Sequence, residues 1–87
     1  MKYRSRTDIV GQILEAADGG ATKTKIMYKA YLSYAQLKEY LSILTDNQLL
    51  EYDEVERLYR TSQKGVKFKR MYDSMSTLTG EMREATV

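Results

Sequence analysis

The side chains able to do chemistry fall into a polar set that could read a polyanion and an acidic set that could not catalyse much. Ser33, Tyr34, Gln36 and Lys38 occupy the start of one helical segment, where amide, hydroxyl and ammonium groups can meet base edges and phosphates. Gln36 has the donor and acceptor needed for an adenine edge, and Lys38 can reach guanine or phosphate. Ser33 or Tyr34 could hold a phosphate near the helix N-terminus. Lys23, Lys25 and Lys29 lie on the preceding segment, either as a solvated face or as phosphate contacts. Glu39 is ambiguous, since it repels phosphate but could accept from cytosine. The acidic set, Asp53, Glu54 and Glu56, sits on an expected hairpin tip, where poor desolvation leaves carboxylates without raised pKa values.

Several functions are excluded by inventory. The chain has no histidine and no cysteine, so the commonest general base, nucleophilic thiol and zinc ligands are missing. No enzyme activity, catalytic residue, metal or cofactor is expected. No apolar run approaches a membrane span, and the basic start Met1–Arg6 is followed by a polar helix pattern rather than a signal core. A cytoplasmic location is expected, nucleoid-associated for a DNA-binding chain. The net charge of +2 decides little, but both ends are positive and the middle is negative. Lys2, Arg4 and Arg6 are either a basic arm or a disordered terminus.

The elements that position these groups can be placed from spacing and caps. Ser5 to about Asp18 forms a first helix, with Ser5 and Asp8 spaced as a capping box, Ile9 and Ile13 on the apolar stripe, and Gly19-Gly20 as the stop. Thr22 to about Ala30 forms a short second helix with Ile26, Met27 and Ala30 inward. Ser33 to about Asp46 forms the third. Its start is the best-defined local signal, with Ser33 and Gln36 as a capping box and Leu32 and Leu37 as a hydrophobic staple. Leu49 to Tyr52 and Arg57 to Thr61 read as a hairpin, whose tip lacks glycine and asparagine and so has no assignable turn type. Ser62 opens a last helix. Along it Phe68, Met71, Met75, Leu78, Met82 and Ala85 follow alternating steps of three and four. Tyr40, Tyr52 and Tyr59 fit core or boundary packing.

Helix, helix, tight turn, helix, hairpin, helix is the order of a winged helix-turn-helix. The fold class is therefore mainly α with a small β-hairpin (α+β), divided into a winged domain over 5–62 and a C-terminal dimerisation helix over 62–85. The apolar stripe beyond Met75 exceeds what so small a core can cover, which predicts a homodimer of either strand direction.

The stretch from Gly20 to Ala30, then Leu32-Ser33-Tyr34-x-Gln36-Leu37-x-x-Tyr40-Leu41-x-x-Leu44, resembles a family of small archaeal winged-helix proteins. Tyr59-x-Thr61-Ser62-x-Lys64-Gly65 is similar to its strand-to-helix segment. Members are described as transcriptional regulators or as chromatin-type DNA-binding proteins. The resemblance implies a recognition helix at 33–46, a wing at 49–61 and an antiparallel coiled-coil dimer. Two departures stand out. Thr61 replaces a preferred leucine, trimming the core under the wing, and Gly80 interrupts a shorter C-terminal helix.

The reading is double-stranded DNA binding by a homodimer, as regulator or architectural protein. Lys23, Lys25, Lys29, Ser33, Tyr34, Gln36, Lys38, Arg57 and Arg60 would contact DNA, and Phe68, Met71, Met75, Leu78 and Met82 the second copy. The acidic wing, with Glu51, Asp53, Glu54 and Glu56 against only Arg57 and Arg60, allows two arrangements. In the preferred one the tip points away from the duplex while the arginines lie along it. In the other the wing meets a protein, and the chain is an interaction module.

Overall fold

The computed structural model describes residues 4–85, with side chains described as far as Met75. Three helices, α1 (Arg6–Ala16), α2 (Lys23–Lys29) and α3 (Tyr34–Asp46), precede strands β1 (Leu50–Asp53) and β2 (Leu58–Thr61) and a long helix α4 (Gln63–Ala85). The expected capping boxes are present at both Ser5/Asp8 and Ser33/Gln36, and Thr22 caps α2 through Lys25 N–H. These pairs satisfy backbone donors that a helix start leaves without intrahelical partners. The staple holds as well, with Leu32 and Leu37 both buried.

The core lies where α1, α2 and α3 meet. Ile13, Leu14, Ile26, Leu37 and Leu44 are its largest fully buried side chains, and no polar side chain is buried among the described residues. Leu50 of β1 closes one side, while Tyr59 and Phe68 pack against the edge.

The helix-turn-helix connection is a left-handed C-cap. Tyr31 has φ 54°, and Leu32 N–H reaches back to the Met27 carbonyl at 3.0 Å. The same device ends α3, where Gln48 has φ 63° and Leu49 N–H bonds the Leu44 carbonyl at 2.8 Å. Glycine usually fills this position because it has no Cβ to clash. Leu49 is thus held by the helix cap, and β1 begins one residue later than periodicity suggests.

The hairpin is antiparallel, with Leu50 opposite Thr61 and Asp53 opposite Leu58. Its four-residue tip is organised by Asp53, whose Oδ1 accepts from Val55 and Glu56 N–H at 2.9 and 3.1 Å. Arg57 completes the turn in the left-handed region, φ 57°, and so belongs to the tip rather than to the second strand. Ala21 adds a one-residue third strand, exchanging backbone bonds with Tyr59 at 2.9 and 2.8 Å.

Thr61 is not a loss to the core. Its hydroxyl donates to the Leu14 carbonyl at 2.6 Å, and its N–H donates to the Ala17 carbonyl at 3.2 Å. Leu14 lies in the last turn of α1 and Ala17 is its C-cap, where carbonyls run out of i+4 donors within the helix. Leucine would supply only the second bond.

Helix α4 is fixed at its start and along its first half. Ser62 Oγ accepts from Gly65 N–H and donates to the Gln48 carbonyl, while Lys64 Nζ donates to the Asn47 carbonyl at 3.0 Å. One turn beyond Phe68, the Tyr72 ring lies against Gly11 of α1, and its hydroxyl donates to Asp8 Oδ1. That bond, with the Ser5 backbone and side-chain bonds, holds the Asp8 carboxyl below the usual carboxylate range. A carboxyl depressed in the folded state contributes stability above its unfolded pKa and loses it as pH falls through the folded one. Tyr72→Phe should therefore melt below the wild type at neutral pH, with the gap narrowing below about pH 4. Acid contributions from Asp53 occur in both proteins and cancel. A gap constant from neutral pH to pH 2 in paired thermal melts would rule this out.

Candidate nucleic-acid interface

The surface made by α2, the turn and the outer side of α3 carries the sequence-predicted contacts. Lys23, Lys25, Lys29, Ser33, Tyr34, Gln36 and Lys38 are all exposed. None of the four lysines forms an ion pair among the described residues. They do not form one face, however. Lys23 and Lys38 share a shallow depression of about 210 Å³ with Ser42, Thr45 and Tyr59, joining α2 to the outer side of α3 and to β2. Lys29 instead lines a depression with Gln12, Glu15 and Ala16 of α1.

The head of α3 is partly committed to itself. Gln36 Oε1 accepts from Ser33 N–H at 3.0 Å, and Ser33 Oγ accepts from Gln36 N–H at 3.2 Å. Gln36 thus keeps its NH2 free for an outside partner, with one carbonyl lone pair engaged. Lys38 Nζ sits 5.6 Å from the centre of the Tyr34 ring, a cation–π pair one helical turn apart. Glu39 is paired with Arg6 at 3.2 Å, which offsets its charge on this side of α3. Ile43 is an exposed apolar group on the same helix that the periodicity reading passed over.

Arg4 does not stand free in solvent. Arg4 donates from Nη1 to the Ala30 carbonyl and Gln12 Oε1, and from Nη2 to the Tyr31 carbonyl at 2.8 Å. It thereby clasps the helix-turn-helix turn. Lys2 lies outside the described residues.

The wing separates its two arginines. Arg60 is bound to Asp53 at 2.8 Å and to Glu56 at 3.2 Å, and it is half-buried. Its guanidinium holds the Asp53 carboxyl below the usual range. Arg60 is therefore a structural partner of the wing acids. Arg57 lies at the tip, exposed and in no ion pair among the described residues. Val55 beside it is 92% exposed. Tyr52 and Tyr59 meet across the strands in a tilted ring contact, with centres 4.7 Å apart.

Of the expected dimer residues, Phe68 packs on the chain's own core. Met71 and Met75 are each 66% exposed. The side chains of Leu78 and Met82 lie outside the described residues. No group of three or more acidic, histidine or cysteine side chains is placed to hold a metal among the described residues. No helix there is long and apolar enough to cross a membrane.

A three-helix core, a tight turn before an exposed helix and a hairpin edged by Ala21 define a winged helix-turn-helix domain. The chain belongs to the winged helix-turn-helix family, which it matches over residues 3–80. Among solved structures it is similar to Sso10a-2, described as a DNA-binding protein from Sulfolobus solfataricus. The identity is 20% and the TM-score 0.84, over 95% of this chain and 90% of that one. At that identity the likeness is one of fold. No curated protein matches.

Proposed function

We propose that this chain binds double-stranded DNA, laying the outer side of α3 in the major groove. The observation that carries the reading is the pairing of exposed Lys23 and Lys38 across one depression beside the outer side of α3. Cations so placed can neutralise phosphates along one side of an inserted helix. The description of Sso10a-2 as DNA-binding supports the same reading. Lys25 and Lys38 contact phosphate, the Gln36 amide donates to a base edge, and Ile43 offers an apolar contact for a thymine methyl. Arg57 is the wing's cation toward the backbone. The chain acts as a homodimer through α4, with Met71 and Met75 in the seam, and no residue has a catalytic role. Regulatory and architectural roles both use this geometry.

The test is binding to a random-sequence duplex titrated across salt. Affinity should fall steeply as salt rises. Lys25→Ala should weaken binding alike on all sequences and flatten the salt slope by about one. Gln36→Ala should relax preference at one base pair after site selection. An absence of duplex binding at low salt would favour the second reading, a protein-interaction domain. That reading draws on the exposed Glu51, Glu54 and Val55 of the wing.

A further inference from the structure

Tyr31 fills a backbone position that the helix cap requires with a side chain that the fold does not use. It occupies a left-handed backbone position that glycine adopts without strain, φ 54°. Its ring is 80% exposed, so packing gives nothing in return. Arg4 locks the position through the Ala30 and Tyr31 carbonyls. Three residues before it Tyr28 is 71% exposed, and three residues after it Tyr34 is 58% exposed. A strained, clamped and exposed aromatic residue between two others points to a ligand outside the fold.

From this we infer that Tyr28, Tyr31 and Tyr34 form a stacking surface for unpaired DNA bases, a second binding mode beside the duplex one. The inference rests on the DNA-binding reading for its polyanion. Charge complementarity selects that ligand, since Lys25 and Lys38 flank the three tyrosines in sequence and no acidic residue occurs from Lys23 to Lys38. Lys38 already sits over the Tyr34 ring. A duplex offers such rings only sugars and phosphates, because its base faces are stacked on each other. A single strand offers a π-face at every base, and each stacked base contributes strongly and without regard to sequence. Phosphates between the bases would meet the lysines.

The experiment compares wild type, Tyr31→Gly and Tyr28→Ala/Tyr34→Ala on a short oligothymidylate and on a random duplex, with melting temperatures recorded. Tyr31→Gly should melt no lower than wild type, because it relieves the left-handed strain. It should nevertheless bind oligothymidylate about tenfold more weakly, with duplex affinity changed less than about twofold. The double variant should lose at least as much on oligothymidylate. The opposite signs of stability and binding separate a ligand role from a folding one. Wild type that binds duplex but not oligothymidylate overturns the stacking surface and leaves the duplex reading intact. So does an equal loss on both DNAs, which would make the tyrosines backbone contacts. Wild type that binds neither overturns both readings and assigns the tyrosines to a protein partner.

Discussion

Gly65→Ala should lower the melting temperature by roughly 10–25 °C, which corresponds to about 2–4 kcal/mol in a domain of this size. A Cβ at Gly65 would stand 2.3 Å from the Leu49 carbonyl oxygen and 2.7 Å from Thr61 Cγ2. Neither neighbour can yield cheaply. The Leu49 carbonyl is main chain and accepts Ser62 N–H at 3.1 Å, while the Thr61 hydroxyl is bonded to Leu14. Alanine's better helix propensity, worth up to about 1 kcal/mol, offsets only part of the clash. The loss is a large share of the roughly 5–15 kcal/mol that holds a domain together. Gly19→Ala is the control. It has open space but φ 81°, so it should cost only the left-handed strain of about 1–2 kcal/mol. A Gly65→Ala melt within a few degrees of wild type would mean that α4 does not start against Leu49.

The second large effect concerns assembly. Met71→Glu/Met75→Glu should turn the proposed dimer into a monomer and weaken binding to a two-half-site duplex by about 10²–10⁴-fold, the gain that linking two binding units provides. Both side chains are exposed in the single chain, so its own melting should change little. Binding to a duplex too short for two copies should also be nearly unchanged. Sedimentation of both proteins decides the matter. If the double variant keeps the wild-type mass, Met71 and Met75 do not join the copies.

The parts of the fold readable from sequence are the ones whose signals are local. Ser5/Asp8 and Ser33/Gln36 are three residues apart, and the bonds that make them caps need nothing from the rest of the chain. The order of helices and hairpin follows from such signals and from the spacing of Ile9, Ile13, Leu37, Leu41 and Leu44. What escaped depends on contacts between distant residues. Arg4 reaches the turn 26 and 27 positions away, and Thr61 meets a carbonyl 47 positions back. Neither has a periodicity to announce it. Ala21 forms a strand of one residue, too short to carry any alternation. The hairpin tip lacked the usual turn residues because Asp53 organises it through its carboxylate.

The candidate site was legible as composition and less so as geometry. The sequence places lysines on α2 and polar groups on α3, and their exposure follows. It does not reveal that Lys29 turns to α1, that Arg60 is taken by Asp53 and Glu56, or that Glu39 is matched by Arg6. Each depends on which side chain lies across from it. The tyrosines show the same limit. Eight in one small chain suggest boundary packing, yet Tyr28, Tyr31 and Tyr34 stand in solvent while Tyr40 is buried.

The bonds that join the end of α3 to the start of α4 have a mechanical meaning. Asn47, Gln48 and Leu49 give their carbonyls to Lys64 Nζ, Ser62 Oγ and Ser62 N–H in turn. Only the hairpin lies between the two helices in sequence, and these bonds bypass it. The two helices are therefore joined as a bent lever with a stiff elbow, and the hairpin braces that elbow from the side through Leu50 in the core and Thr61 on α1. Whatever grips the far arm of α4 sets the pitch at which α3 is presented. A pair of such levers would behave as calipers of fixed span, measuring distance along a target instead of adjusting to it.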